Sequence, residues 1–142
     1  YDLLGSVINL GHLSFMNPCG RPDSTPHGMS VGIDIESVGR VEPKLWPTLF
    51  TEREATYFAS LESDQVAKET TLFFSAKETF YKCQYPVTHS WVGFQDVEIK
   101  RRDESTLSVK PTHGSTQIWH QSPIHLLQPD ALHVVTLMML KA

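Results

Sequence analysis

The alternation of apolar and polar positions divides the chain into an early strand, a helical middle and a strand-rich end. Residues 30–36 alternate apolar residues with polar or small ones, which is the two-residue period of a half-buried strand. Thr51 and Glu54 have the spacing of a capping box, in which each residue bonds the backbone of the other. A helix is therefore predicted to begin at Glu52 and to end at about residue 60 or 61.

A second, longer helix is predicted from residue 63 or 64 to about residue 83. Its apolar residues recur at helical spacing and give it one broad apolar face, formed by Leu72, Phe73, Ala76, Phe80 and Cys83. Pro86 is expected to stop this helix, because a proline disfavours helical geometry in the residue before it.

Beyond the helices the apolar period becomes that of strands. Four short segments rich in β-branched and aromatic residues predict strands over residues 94–99, 106–109, 116–120 and 132–139. Turn-forming residues separate them, at 103–104, 113–114 and 123–130. The predicted fold class is α+β, a small antiparallel sheet with two main helices packed on one face.

The start of the chain has a different character. Residues 17–30 hold three prolines and two glycines, which predicts a linker or an exposed loop, and residues 3–10 are apolar enough for one short strand. The chain begins with Tyr1 and shows no signal-peptide pattern, so we interpret it as a processed or trimmed product. We expect one compact domain over residues 31–142, preceded by an N-terminal remnant and linker over residues 1–30.

Charge and cysteine content narrow the function classes. A net charge of -4 argues against a broad nucleic-acid or membrane-surface binder, so an anionic ligand must be held by a local group of lysines and arginines. Cys19 and Cys83 lack the spacing of a disulfide framework or a zinc site, which favours the cytoplasm. No apolar run reaches the roughly 18 residues of a membrane-spanning helix.

Two short segments carry the candidate chemistry. Asp34 and Glu36 lie two apart in the first predicted strand and so face the same way, while Glu78 and Lys82 lie one helical turn apart. Taken separately, the first pair is most simply interpreted as exposed residues of an edge strand, and the second pair as part of a solvated helix face. If the strand and the helix meet, three carboxylates and a lysine converge, a group that suits a divalent cation and a phosphate substrate.

The two segments together resemble the paired signature of the 4'-phosphopantetheinyl transferase superfamily. The first half of the signature is matched by Val31-Gly32-Ile33-Asp34-Ile35-Glu36, and the second by Phe74-Ser75-Ala76-Lys77-Glu78-Thr79-Phe80-Tyr81-Lys82. Residues 91–99 resemble the strand that follows this helix in the siderophore-synthetase (enterobactin-type) branch. Cys83-Gln84-Tyr85-Pro86 also favours this branch, because the shorter holo-acyl-carrier-protein synthases usually have alanine and then glycine there.

The resemblance implies a reaction and a role for each signature residue. Asp34, Glu36 and Glu78 would hold Mg²⁺ together with the pyrophosphate of coenzyme A, the phosphopantetheine donor. A serine of an apo acyl, peptidyl or aryl carrier protein would attack the β-phosphorus, and 3',5'-ADP would leave. Glu78 or a metal-bound water would accept the serine proton, Lys82 would contact the phosphates or protonate the leaving group, and Lys77 would contact a coenzyme A phosphate.

The chain departs from the branch in its first part. Enzymes of the branch consist of two similar α+β halves, and residues 31–142 resemble only the second, catalytic half. The first half normally ends in a motif whose histidine binds a phosphate, and the candidate positions here are Asn9 and Asn17. The chain therefore either lacks its N-terminal half or pairs with a second copy to form a homodimer.

Other interpretations remain open. The chain could be a non-catalytic module that docks a carrier protein without binding coenzyme A, or another metal-dependent phosphate-handling enzyme such as a hydrolase. The basic run Lys100-Arg101-Arg102 is either a solvated turn or a contact for an acidic carrier protein, and the helix after Thr51 is an equal candidate for that contact.

Overall fold

A five-stranded antiparallel sheet is the frame of the domain. The computed structural model describes residues 28–113 and 122–141. The strands are β1 (Met29–Ser37), β2 (Val97–Arg101), β3 (Thr106–Pro111), β4 (Ile124–Asp130) and β5 (His133–Lys141). They lie in the order β1-β5-β4-β3-β2, so the first and last strands along the chain are neighbours and β1 and β2 form the two edges.

Three helices pack against this sheet. They are α1 (Trp46–Leu49), α2 (Glu52–Ala59) and α3 (Ser63–Thr88), and two 3-10 turns, Pro43–Leu45 and Phe94–Asp96, connect them to their neighbours. The whole predicted apolar face of the long helix is buried in the core beneath α3. The α+β fold class is therefore confirmed. Within the described part of the chain, no helix is both long and apolar enough to cross a membrane.

The capping box predicted for α2 is present. Thr51 Oγ1 accepts a bond from the Glu54 amide at 3.2 Å, and Glu54 Oε1 accepts one from the Thr51 amide at 2.8 Å. These bonds satisfy amide groups that the first turn of a helix leaves without partners. The helix begins at Glu52 as predicted.

The prediction that α3 stops near residue 83 is wrong. The helix continues through Pro86 to Thr88 and ends at His89, whose left-handed backbone (φ 55°) closes the last turn with a bond from its amide to Tyr85 O. Pro86 lies so close to the end that the helix loses a single backbone bond there. Gln84 holds the final turn from the side, since its amide nitrogen donates to Ser90 O at 3.0 Å.

The strand predictions hold in part. The segment 123–130 was predicted as a turn, yet β4 occupies most of it, because Ile124 is buried against β5 and the proline at 129 falls in the irregular part of the β4–β5 pairing. The strand predicted over 94–99 begins three residues later, after a 3-10 turn. The elements predicted over 3–10 and 116–120, and nearly all of the linker, lie outside the described residues.

Gly32 lets α3 approach the sheet closely. A Cβ atom at this position would clash with the Thr79 carbonyl oxygen and would lie 2.9 Å from Cys83 Cβ. Any residue other than glycine would therefore push the helix away from β1. This contact sets how near the acidic residues of β1 come to the helix.

Candidate functional site

The three predicted metal-binding carboxylates come together where β1 meets α3. Asp34 and Glu36 occupy alternate positions of β1 on the face that packs against α3, and Glu78 lies on that helix. All three are buried, with residual exposures of 3, 5 and 4 %. Burial of three carboxylates in one place is costly unless a cation or protons compensate for their charge.

Two of these carboxyls have strongly perturbed proton affinity. Burial, reinforced by the charge of Asp34, raises the pKa of Glu36 to about 8. The same two causes raise the pKa of Glu78 to about 7. Without a bound cation, the cluster therefore retains protons at neutral pH that isolated carboxyls would lose.

Lys82 lies on the helix side of the cluster, as its spacing from Glu78 predicted. Its Nζ atom donates to Asp34 Oδ1 at 3.0 Å and to the Ile33 carbonyl at 3.3 Å. Its charge also lowers the pKa of Glu78, against the larger effect of burial. The ammonium thus bridges the strand and the helix and is partly exposed on the outer side of the carboxylates.

Arg40 is a second cation at the cluster, and our sequence analysis did not predict it. The turn after β1 uses Gly39 at φ 87°, and the Gly39 amide donates to Thr71 Oγ1 of α3 at 3.0 Å. This turn brings Arg40 Nε to 3.4 Å from Glu36 Oε2, with the guanidinium 37 % exposed. Two features of the sequence could have pointed to Arg40, namely the glycine before it and its position four residues after Glu36. Neither feature indicates the direction in which the turn places the Arg40 side chain.

The ligand types in this cluster suit a divalent cation, although their present positions do not form a coordination site. Among the described residues, no three histidine, cysteine, aspartate or glutamate side chains form a ready coordination group. However, Asp34 Oδ2 is buried and receives no hydrogen bond from the described residues, and Glu36 Oε2 has only the ion pair with Arg40 there. Buried carboxylate oxygens that lack donors are ligands of the kind that Mg²⁺ prefers.

Lys77 is not at this cluster, and the predicted contact with a coenzyme A phosphate is not supported by its position. Its Nζ atom is 1 % exposed and donates to Glu54 Oε1 at 2.6 Å, Leu49 O at 3.0 Å and Phe94 O at 2.6 Å. An ammonium has three donors, and all three are used here. Lys77 instead ties α3 to α1, α2 and the turn before β2.

The two surfaces that the sequence offered as carrier contacts border one cleft. Arg53 of α2, Lys100 and Arg101 of β2, and Lys110 of β3 line this cleft of about 320 Å³ at the β2 edge of the sheet. Arg101 is held there by an ion pair with Glu69. Phe73 of α3 also lines the cleft, but none of the three carboxylates does.

Fold and site together define a class of protein: an α+β domain whose buried carboxylates and flanking cations suit a metal ion and a phosphate ligand. A family profile described as the 4'-phosphopantetheinyl transferase superfamily matches residues 30–136. The chain belongs to this superfamily. A search among curated proteins found no match to this chain.

Solved structures share the fold. The holo-(acyl-carrier-protein) synthase of Thermotoga maritima superposes with a TM-score of 0.62 at 23% sequence identity, over 79% of this chain and 62% of that one. The synthase of Bacillus anthracis, solved in complex with CoA (3',5'-ADP), gives a TM-score of 0.53 at 20% identity, over 80% of this chain and 96% of that one. The chain thus spans less than two thirds of the Thermotoga maritima protein.

Proposed function

We propose that this chain is the metal- and phosphate-binding part of an enzyme that transfers 4'-phosphopantetheine from coenzyme A to a serine of an apo carrier protein. One observation carries the proposal: Asp34, Glu36 and Glu78 are buried together, Asp34 Oδ2 has no hydrogen bond from the described residues, and Lys82 and Arg40 flank the group. The family match and the fold of the related synthases support the same reaction.

The proposed roles follow from the contacts of each side chain. Asp34, Glu36 and Glu78 would hold Mg²⁺, which would offset the negative charge of the coenzyme A pyrophosphate. Lys82 is positioned by Asp34 and Ile33 and can turn its one remaining donor towards a phosphate oxygen. We assign Glu78 as the acceptor of the carrier serine proton, because a carboxylate at the site of the reaction can act as a general base.

We assign the chain to the siderophore-synthetase branch and to the cytoplasm. The branch assignment rests on Cys83-Gln84-Tyr85-Pro86 after the signature lysine, where α3 continues as a regular helix. A carrier domain of a nonribosomal peptide pathway is accordingly the expected acceptor. The free, buried thiol of Cys83 agrees with a reducing compartment.

A second α+β half is needed beside this chain, supplied by an N-terminal half or by a second copy in a homodimer. The outer face of the sheet, opposite α3, supports this part of the proposal. Large apolar side chains are exposed on it, namely Met29, Ile33, Ile35, Leu127 and Met139. An exposed apolar face of this kind marks an interaction surface.

The reaction is tested by incubating the protein with coenzyme A, Mg²⁺ and an apo carrier domain. Mass spectrometry should show a carrier heavier by one phosphopantetheine group. Glu78→Gln should lower the rate by more than about a hundredfold, because changes in groups that merely support metal ligands cost about 10- to 100-fold. Glu62→Gln, at the exposed start of α3, is the control and should retain activity. No mass gain with the complete gene product would contradict the proposal.

A second candidate is a non-catalytic fragment that docks a carrier protein without binding coenzyme A. It is favoured by the placement of Lys77, whose three donors are taken by protein acceptors and leave no contact for a phosphate. Calorimetry separates the candidates. Carrier binding without coenzyme A binding would support the fragment, whereas coenzyme A binding in the presence of Mg²⁺ would exclude it.

A further inference from the structure

A group of three hydroxyls lies between α3 and the sheet directly beneath the carboxylates. We call Ser75, Thr79 and Thr136 the hydroxyl seam. Ser75 and Thr79 are four residues apart and so share one face of α3, while Thr136 belongs to β5, and all three are fully buried. Buried hydroxyls need hydrogen-bond partners, because water cannot reach them.

Thr136 is the centre of the seam. Its Oγ1 atom lies 2.9 Å from Ser75 Oγ and 2.7 Å from Thr79 Oγ1, and Thr79 Oγ1 also donates to the Thr136 carbonyl at 3.2 Å. A hydroxyl offers one donor and two acceptor sites, so the three groups satisfy one another without a charged residue. Removal of the Thr136 hydroxyl would leave two buried hydroxyls on α3 short of a partner.

The seam joins α3 to β5, the strand that is paired with β1. Thr136 is paired with Asp34 across β1 and β5, and Ser75 Oγ also approaches the Asp34 carbonyl at 3.5 Å. On the helix, Glu78 lies between Ser75 and Thr79 in sequence. The hydroxyl bonds therefore fix the separation and rotation of α3 relative to β1 at the level of Asp34 and Glu78.

That separation matters for a small cation. Mg²⁺ requires oxygen ligands at about 2.0 to 2.1 Å in near-octahedral geometry, so carboxylates from two elements tolerate little relative movement. Gly32 permits the close approach of α3, as described above, but exerts no attraction of its own. The hydroxyl bonds supply the directional contacts that hold the helix at that distance.

We propose that Thr136 is a positioning residue whose hydroxyl holds α3 against the sheet and so keeps Glu78 beside Asp34 and Glu36, the carboxylates proposed to bind a divalent cation. The inference rests on the proposed function. It concerns a residue outside both signature segments.

The test compares the Mn²⁺ affinity of three variants with that of the unmodified protein, measured from the free Mn²⁺ signal in electron paramagnetic resonance. Thr136→Val keeps the shape of the side chain and removes the hydroxyl, and Thr136→Ser restores the hydroxyl. Thr70→Val is the matched control, because this buried threonine on the same helix bonds only to carbonyls of its own helix, Val66 O and Ala67 O. Thermal unfolding with EDTA reports folding independently.

Thr136→Val should bind Mn²⁺ about tenfold more weakly, as expected for loss of a group that orients metal ligands, while Thr136→Ser and Thr70→Val remain within about threefold of the unmodified protein. If Thr136→Val does not fold, Ser75→Ala replaces it and should weaken binding in the same direction. If folded Thr136→Val binds Mn²⁺ as tightly as the unmodified protein, the role of Thr136 is overturned, while the proposed metal site is not. Failure of the unmodified protein to bind Mn²⁺ would overturn both this proposal and the proposed metal site.

Discussion

At the scale of single residues, Glu36 and Glu78 bear the electrostatic cost of a buried carboxylate cluster. Their pKa values are raised to about 8 and about 7 because each is buried near other carboxylates. Lys82 and Arg40 compensate for part of this charge from the two sides of the cluster. A group of this kind is stabilised either by protons or by a metal ion, and the two compete.

The stability of the metal-free protein should therefore fall as pH rises. Between the ordinary carboxyl pKa of 4.5 and about 8, Glu36 keeps its proton in the folded protein but loses it in the unfolded chain. The folded state then binds more protons, so the free energy of unfolding decreases through this interval. Thermal unfolding in EDTA from pH 5 to pH 8.5 should show a falling midpoint, and Glu36→Gln should flatten the profile. If the unfolding midpoint of Glu36→Gln falls with pH as steeply as that of the unmodified protein, the assignment to Glu36 is wrong. Glu104→Gln, which changes an exposed carboxylate, is the control and should keep the original slope.

Much of this cluster is predictable from residue spacing. The strand period places Asp34 and Glu36 on one face, and the helical turn places Glu78 beside Lys82, so four groups follow from local geometry alone. Arg40 does not, because its position depends on the direction of a turn. The surroundings of Lys77 were not predictable for a related reason, because the acceptors that bury its ammonium come from three other elements.

At the scale of elements, the long helix α3 carries the chemistry and the sheet determines where it lies. Gly32 is the critical contact, since a side chain there would meet the backbone of Thr79. On another side, Glu54 accepts bonds from Lys77 and, through Oε2, from the Ile99 amide of edge strand β2 at 2.8 Å. The rotation of α3 is thus fixed both at β1 and at α2.

Gly32→Ala should destabilise the fold through this close contact. The added methyl cannot be accommodated without moving α3, and forced packing of this kind costs about 1 to 3 kcal/mol. Gly28→Ala is the matched control, because a Cβ at Gly28 has no neighbour within 4 Å. Urea unfolding of both variants measures the difference, and equal stability of the two would show that the contact is not limiting.

Lys77→Met should cost about 3 to 5 kcal/mol, because it leaves the buried Glu54 carboxylate without its cation. The surface pair between Lys44 and Glu42, whose side chains are largely exposed, provides the comparison, and Lys44→Met should cost less than about 1 kcal/mol. Urea unfolding of the two variants gives both values. Similar small losses in both would show that Lys77 does not hold the helices together.

At the scale of the whole molecule, the sheet has one covered face and one that is open to a partner. The inner face meets α3, whereas the outer face of β1, β5 and β4 exposes apolar residues that alternate with the buried ones. The strand β4 was missed in sequence because the proline at its end resembles a turn signal. Because β4 pairs with β5, it extends the open face of the sheet by one strand.

The isolated chain should self-associate through this face. Sedimentation velocity at increasing concentration should show a species larger than the 16.0 kDa monomer. Ile35→Lys should shift the distribution towards the monomer, because it places a charge in the middle of the exposed apolar patch. Ala59→Lys, on the exposed side of α2, should leave the distribution unchanged. A purely monomeric chain at all concentrations would contradict the homodimer.

Cys83 is a buried reporter of the junction between α3 and β1, because its thiol can be labelled only when the junction opens. Its thiol is fully buried opposite Gly32, its Sγ atom lies 3.4 Å from both Ser30 O and Met138 O, and burial raises its pKa to about 11. An alkylating reagent attacks the thiolate, so modification requires the helix to separate from the strand first. The alkylation rate of this cysteine, followed by peptide mass spectrometry, therefore reports how often the junction of α3 and β1 opens.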